Sequence, residues 1–271
     1  MSGQDHAPTE GAVKTTAGGG PKPGASLAIQ PHQDDPEVRR KYRPYLLGEG
    51  HAANDWISEL ELNTVMEMVV GQERPRILVL YGSVRRRSYS RLLAYEASRI
   101  LFRLGCDVRV YDPAGLPQKD ELQHAHPKVQ ELRSLSKWSN GHLWISPEQH
   151  GNLTSVFKQQ IDWIPLSSGA THGRTLAVAQ VNGMAQSFNA VNSLRILGRW
   201  MRMFSIPSQV TVPEADTQFG PLEEGSRMLP GPCRDALVDC MEEFVKYTIV
   251  MRQHFDLFQD KFSSRKSKEA N

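Results

Sequence analysis

An uninterrupted apolar run, Ile77-Leu78-Val79-Leu80-Tyr81, stops at Gly82 and gives way to the polar stretch Ser83-Val84-Arg85-Arg86-Arg87-Ser88-Tyr89-Ser90. A short apolar run without polar alternation is the pattern of a strand buried on both faces, which a parallel sheet covered by helices provides. Beyond the polar stretch, Leu93, Ala97, Ile100, Leu101 and Leu104 recur at helical spacing. Hydroxyls and guanidinium groups therefore gather where a buried strand turns into a helix N-terminus. Free backbone N–H groups and the positive end of the helix dipole meet there, which makes a ready anion site.

The kind of anion is narrowed by what is missing. The chain has no G-x-G-x-x-G turn here for a dinucleotide and no G-x-x-x-x-G-K-[ST] loop for a triphosphate. A single glycine, the hydroxyls of Ser83, Ser88 and Ser90, and the charges of Arg85 and Arg87 fit one terminal phosphate, as on FMN. The competing reading is an ordinary N-cap serine beside a solvated arginine run.

Further strands are expected at 106–111, 142–145, 175–181 and 205–212, with helices over 153–164, from 188 to 204, and from 234 to 258. Strands alternating with helices argue a parallel α/β sheet covered on both faces. Ligands of such sheets bind outside the carboxyl ends of the strands. Loops rich in small and polar residues follow the first, third and fourth strands, at 82–90, 146–151 and 182–187. A flavodoxin-like, five-stranded parallel sheet of order 2-1-3-4-5 brings those loops together, and that is the fold expected.

Around this domain, placed at 75–213, the chain divides by composition. Residues 1–35 are rich in Gly, Pro, Ala, Gln and Thr and read as a disordered tail. Residues 36–74 carry Tyr42, Tyr45, Leu46, Leu47, Trp56, Ile57, Leu60 and Leu62, too apolar for a linker. They read as an arm that packs on this subunit or on a neighbour. Residues 214–271 read as a loop followed by a helix. The helix from 188 shows one apolar stripe through Val191, Leu194, Gly198 and Met201 and a second through Ile196, Trp200 and Met203. A surface helix needs only one, so the second points to a contact in a homo-oligomer.

A net charge of +2 over 271 residues gives no reason to expect nucleic acid or a membrane as partner. Three cysteines, Cys106, Cys233 and Cys240, include no C-x-x-C pair and read as buried thiols, not a disulfide or zinc site. Glu121, His124 and His126 read as a solvated loop, so no metal is expected. No stretch approaches the roughly 20 apolar residues of a membrane span, and no apolar signal region opens the chain, so the cytoplasm is expected.

On these residues the chain resembles the NADPH-dependent FMN reductase superfamily, and within it looks like the ArsH-type proteins. The carriers are GSVRRRSYSRLLA at 82–94, SPEQHG at 146–151, QIDWIPLS at 160–167 and QSFNAVNSLRILGRWMRM at 186–203. The resemblance implies a flavodoxin-like fold, non-covalent FMN, and homotetramers built as dimers of dimers. It implies that Ser83, Arg85, Arg87, Ser88 and Ser90 hold the FMN phosphate. Pro147, Glu148, Gln149, His150 and Gly151 would lie along the isoalloxazine, largely through backbone groups, with Gly183 and Ser187 completing its surround. The sequence departs from the family pattern at Gln149, at 168–173 and at 182–185, which border the nucleotide and acceptor side.

The implied chemistry is ping-pong hydride transfer from NADPH through flavin N5 to a small-molecule acceptor, with no catalytic protein residue. The implied role is arsenic resistance by oxidation of trivalent organoarsenicals. Two alternatives stay open: a broad reductase of quinones, azo dyes or metal oxyanions that yields hydrogen peroxide with oxygen, and a flavodoxin-like electron carrier.

Overall fold

The computed structural model describes residues 25–47 and 55–259, together with 262 and 265. Its strands are β1 (Arg76–Tyr81), β2 (Asp107–Tyr111), β3 (Gly141–Gln149), β4 (Asn152–Leu153), β5 (Thr175–Val181) and β6 (Phe204–Val212). The five long strands form a parallel sheet in the order β2-β1-β3-β5-β6, which is the expected flavodoxin-like order. The sheet has a sixth strand, because the short β4 pairs antiparallel with the end of β3.

The residues of β1 explain why the sheet is covered twice. Ile77, Val79 and Tyr81 enter one apolar cluster, while Leu78 and Leu80 enter another on the opposite face. Each such side chain, fully buried, contributes roughly 1.5–3 kcal/mol. In the arm lie α1 (Pro36–Tyr42) and α2 (Asn63–Val69). The first cluster is completed by α2, by α3 (Tyr89–Arg103) and by α7, introduced below. The second is closed by α4 (Pro127–Trp138), α5 (Ser155–Trp163) and α6 (Asn189–Trp200). The chain then continues through α7 (Pro232–Arg252) and α8 (Phe255–Gln259). Among the described residues no helix is long and apolar enough to cross a membrane.

Several expectations are corrected. Helix α4 was not foreseen: Pro127 at its first turn and a mostly polar sequence hide Val129, Leu132 and Leu135, its buried face. The last helix breaks after Arg252 instead of running to Phe258. Met203 does not share an exposed stripe with Ile196 and Trp200, since it is buried. Of the tail expected over 1–35, residues 1–24 lie outside the described residues. Its remainder is tied down at two points, the Leu27 N–H donating to the Arg103 carbonyl at 2.9 Å and Asp34 being buried against Arg43, while Gln30, Pro31, His32 and Gln33 are exposed.

The arm packs on its own chain. Tyr45, Ile57, Leu62, Val65, Met66 and Val69 are all buried in the first cluster. Arginines fasten it to the core: the Arg43 guanidinium pairs with Asp34 and with Asp107 of β2 (2.7 Å), and Arg103 of α3 donates to the carbonyls of Ala25 (3.1 Å), Leu60 (2.8 Å) and Ile57. Cys106 and Cys240 are buried thiols, each pushed up to about 12 by desolvation, and Cys233 is half-buried.

His142 on β3 is enclosed between the sheet and α4. Its Nδ1 accepts from the Trp144 indole N–H at 3.1 Å, and its Nε2 lies 3.4 Å from Ser136 Oγ. Desolvation, aided by the Arg174 charge, lowers its pKa from 6.5 to about 3. The unfolded chain therefore takes up a proton below pH 6.5 that the folded chain refuses, and stability falls as pH drops through that window. Chemical denaturation should show a loss approaching about 2 kcal/mol between pH 6.5 and pH 5 from this residue alone. His142→Gln, which keeps an acceptor for Trp144, should flatten that part of the profile; an unchanged slope would show that His142 is not the group responsible.

Candidate functional site

The carboxyl ends of β1, β3 and β5 open on one cleft of about 540 Å³. It is lined by Ser83, Arg85, Arg87, Ser88 and Ser90 from the first loop, by Pro147, Glu148, Gln149 and His150 from the second, and by Gly183 from the third. Gly151 and Ser187 are not among the lining residues; Gly151 follows His150 in the turn, and Ser187 donates to the lining Glu148. The three loops singled out in the sequence thus do converge.

The first loop is a helix N-terminus with its donors turned inward. Ser88 is the N-cap of α3, its Oγ accepting from the Arg91 N–H at 3.2 Å. The same Oγ lies 3.1 Å from Ser90 Oγ, and Ser83 Oγ accepts from the Arg85 N–H at 3.2 Å. Ser83, Ser88 and Ser90 are all buried while Arg85 is exposed. No acidic residue occurs from 82 to 91. Arg87 is already engaged: its guanidinium donates to Gly220 O (2.9 Å), Ser226 Oγ (3.0 Å) and, at 3.4 Å, Tyr89 OH. A guanidinium has five N–H groups, so two remain for a ligand.

The second loop is a tight hairpin. Gln149 pairs with Asn152 across His150 and Gly151, whose φ values of 51° and 73° are both positive, as a two-residue turn of this hand requires. Glycine meets that demand without strain; His150 does not. The hairpin carries Glu148, and here the structure refines its expected part. The carboxylate accepts from Ser187 Oγ (2.9 Å), Gln180 Nε2 (2.9 Å) and Asn189 Nδ2 (3.5 Å), and from the Ala190 N–H. Gln180 Oε1 in turn accepts the Val191 N–H at 3.0 Å. Glu148 thus caps α6 from outside its own sequence and ties the hairpin to the third loop. Desolvation works to raise its pKa, but the bonds from Ser187, Gln180, Ala190 and Asn189 outweigh it, and the carboxyl lies below its ordinary 4.5.

The lining also includes Tyr89, Thr154, Asn182, Ala215 and Asp216, which the sequence pattern does not mark as ligand contacts. Thr154 was legible as the N-cap signature before Ser155-Val156-Phe157; nothing local marked Asp216. In the cleft wall, Asn182 donates through Nδ2 to the carbonyls of Met184 and Ala185, both at 2.7 Å, which leaves its buried Oδ1 without a partner among the described residues. The residues present suit a ligand with one phosphate at the first loop and a polar ring along the other two. His124 packs edge-on against Trp163 and His126 caps α4.

A family model described as NADPH-dependent FMN reductase matches residues 75–217. A Rhizobium meliloti protein named NADPH-dependent FMN reductase ArsH is 54% identical over 200 residues, covering 73% of this chain and 82% of that protein. A protein of the same name from Acidithiobacillus ferrooxidans is 53% identical over 195 residues, 71% of this chain and 81% of that protein. A solved structure of an oxidoreductase from Corynebacterium diphtheriae shares the fold, with a TM-score of 0.51 at 20% identity, over 65% of this chain and 97% of that one.

The Glu148 cap is open to direct measurement. Glu148→Ala should cost about 1–2 kcal/mol at neutral pH, the scale of a lost N-cap and its charged hydrogen bonds. Because the folded-state pKa is depressed, that stabilisation is complete above pH 4.5 and fades as pH falls through the lower folded value. Denaturation curves of variant and wild type should therefore converge in acid; a gap that persists there would exclude the carboxylate as its source.

Proposed function

This chain belongs to the NADPH-dependent FMN reductase family and to its ArsH-type members, and from that premise we propose how its cleft works and what it acts on. It is an oxidoreductase with FMN as cofactor and NADPH as co-substrate. When bound, FMN would supply the redox chemistry, taking up a hydride from NADPH and passing two electrons to an acceptor.

The observation that carries the site assignment is the convergence of the loops after β1, β3 and β5 on one cleft that ends at the N-terminus of α3. In this reading the first loop takes the phosphate: Ser83, Ser88 and Ser90 through hydroxyls, Arg85 and Arg87 through charge, and the first turn of α3 through its N–H groups. Pro147, Glu148, Gln149, His150 and Gly151 would lie along the isoalloxazine, largely through backbone groups, with Gly183 and Ser187 completing its surround and Ser187 holding Glu148 in place. No side chain is required as nucleophile or proton donor. The protein binds, orients and shields.

For the acceptor, the reading is oxidation of trivalent organoarsenicals to pentavalent forms, supported by the ArsH character of the family members. A second reading, a broad quinone reductase, is favoured by one observation: none of Cys106, Cys233 and Cys240 lines the cleft, so no thiolate there would select soft arsenic. The chain is further read as a homo-oligomer that uses the outer face of α6, where Ile196 and Trp200 are exposed.

Two measurements bear on this. Anaerobically, NADPH should bleach the flavin of the reconstituted protein, and methylarsenite or a quinone should restore it, with the faster acceptor deciding between the readings; a flavin that no nucleotide bleaches would leave only an electron carrier. Replacing Arg85 and Ser88 together by alanine should weaken FMN binding at least about a hundredfold, the sum of two hydrogen bonds to a charged group. Unchanged FMN affinity would remove the phosphate from the first loop.

A further inference from the structure

Arg87 is held by a part of the chain that comes long after it. The segment from Phe219 to Met228 forms a small hairpin, closed by an antiparallel bridge between those residues and by the Gly220 N–H donating to the Arg227 carbonyl at 2.9 Å. This hairpin supplies both the Gly220 carbonyl and the Ser226 hydroxyl that hold the Arg87 guanidinium. Phe219 also packs on Tyr89, with ring centroids 5.9 Å apart.

The hairpin is itself anchored by a buried ion pair. The Arg227 guanidinium meets the Glu96 carboxylate of α3 in two contacts, Nε at 2.6 Å and Nη2 at 3.1 Å, and the Met228 N–H donates to the same carboxylate at 3.2 Å. Both side chains are almost wholly inaccessible, 4% and 1% exposed. Ser226, next to this pair, has a φ of 50°, an uncommon conformation for serine. Backbone strain of this kind persists where the surroundings over-determine it. Here it directs a hydroxyl onto Arg87.

We propose that the Glu96–Arg227 pair and Ser226 are positioning residues for phosphate recognition: they fix the 219–228 hairpin so that its Gly220 carbonyl and Ser226 hydroxyl orient Arg87 at the mouth of the first loop. This rests on the assignment of the phosphate to that loop. The clamp uses donors of Arg87 and leaves two N–H groups, which is enough for a bidentate grip on phosphate oxygens. It also removes the entropy cost of ordering a long side chain when ligand arrives.

The test compares FMN with riboflavin, which lacks only the phosphate, by fluorescence titration of the full chain freed of flavin. Ser226→Gly removes the hydroxyl, and glycine accepts the positive φ freely, so the fold is not put at risk. It should weaken FMN binding roughly tenfold and leave riboflavin affinity unchanged, as expected for one charge-assisted hydrogen bond lost behind the phosphate ligand. Glu96→Gln should show the same selective loss together with a lower melting temperature. An equal loss for both flavins, or none for FMN, in Ser226→Gly would overturn the proposal and leave the hairpin a merely structural element. A wild-type chain that binds riboflavin as tightly as FMN would overturn the phosphate assignment beneath it, an outcome distinct from either.

Discussion

Three segments of the site meet on one residue, Thr154. Its N–H donates to Ser146 Oγ of β3 at 3.2 Å, its Oγ1 donates to the Gly82 carbonyl after β1 at 2.7 Å, and the same oxygen accepts the Phe157 N–H at 3.3 Å as the N-cap of α5. The approach is so close that a Cβ at Gly82 would lie 2.7 Å from that hydroxyl and 2.9 Å from Phe157 Cβ. The glycine that ends the first strand is therefore required by packing from below. Gln160 adds a bond from the same helix, donating to the Tyr81 carbonyl at 3.0 Å. The loop that begins the proposed phosphate site is set by the protein interior, which lowers the ordering cost that a ligand would otherwise meet.

Charge is sorted by the same economy of contacts. The cleft contains carboxylates, yet Glu148 turns its oxygens toward Ser187, Gln180 and the start of α6, so its charge is absorbed by donors behind the wall. The N-terminus of α3, with no acidic residue from 82 to 91, keeps its positive end for a ligand. Farther from the cleft, the guanidinium groups of buried Arg103 and half-buried Arg74 are satisfied by backbone carbonyls. Arg103 gathers Ala25, Ile57 and Leu60, and Arg74 reaches Leu27 and Gly105. Burial lowers the pKa of both. These contacts hold the otherwise largely exposed segment 25–47 to the core, into which it buries Tyr45 and Leu46.

Much of this was legible in the sequence because it rests on short-range patterns. The alternation of β1 between two faces follows from strand geometry, and the convergence of loops 82–90, 146–151 and 182–187 follows from strand order. What escaped had non-local causes. Glu148 read as a ring-flanking residue, and only the fold shows that its carboxylate caps a helix beginning at Asn189. Arg87 read as a free phosphate ligand, and nothing near it announces partners at Gly220 and Ser226. The two-residue turn at His150 and Gly151 was hidden because His replaces the usual Asn or Asp. Helix α4 was missed for a different reason, its apolar positions being too sparse beside its charges.

The second stripe of α6 shows how a periodicity can be counted past the end of its element. Helical spacing groups Ile196, Trp200 and Met203, but the helix stops at Trp200. The Arg202 N–H donates to the Arg199 carbonyl at 3.0 Å and the Met203 N–H to the Gly198 carbonyl at 2.9 Å, with Arg202 at a φ of 58°. That bond pair and the left-handed residue between them define a Schellman turn, here closed by arginine where glycine is usual. Thr171 Oγ1 donates to the Met201 carbonyl at 2.8 Å, and the Gly173 N–H to that of Arg202 at 2.9 Å, so two residues of the preceding loop fix the reversal. Met203 is thereby carried inward, while Trp200 remains 64% exposed. The exposed apolar residues are therefore the two on the helix itself, Ile196 and Trp200, and the turn that follows them buries Met203.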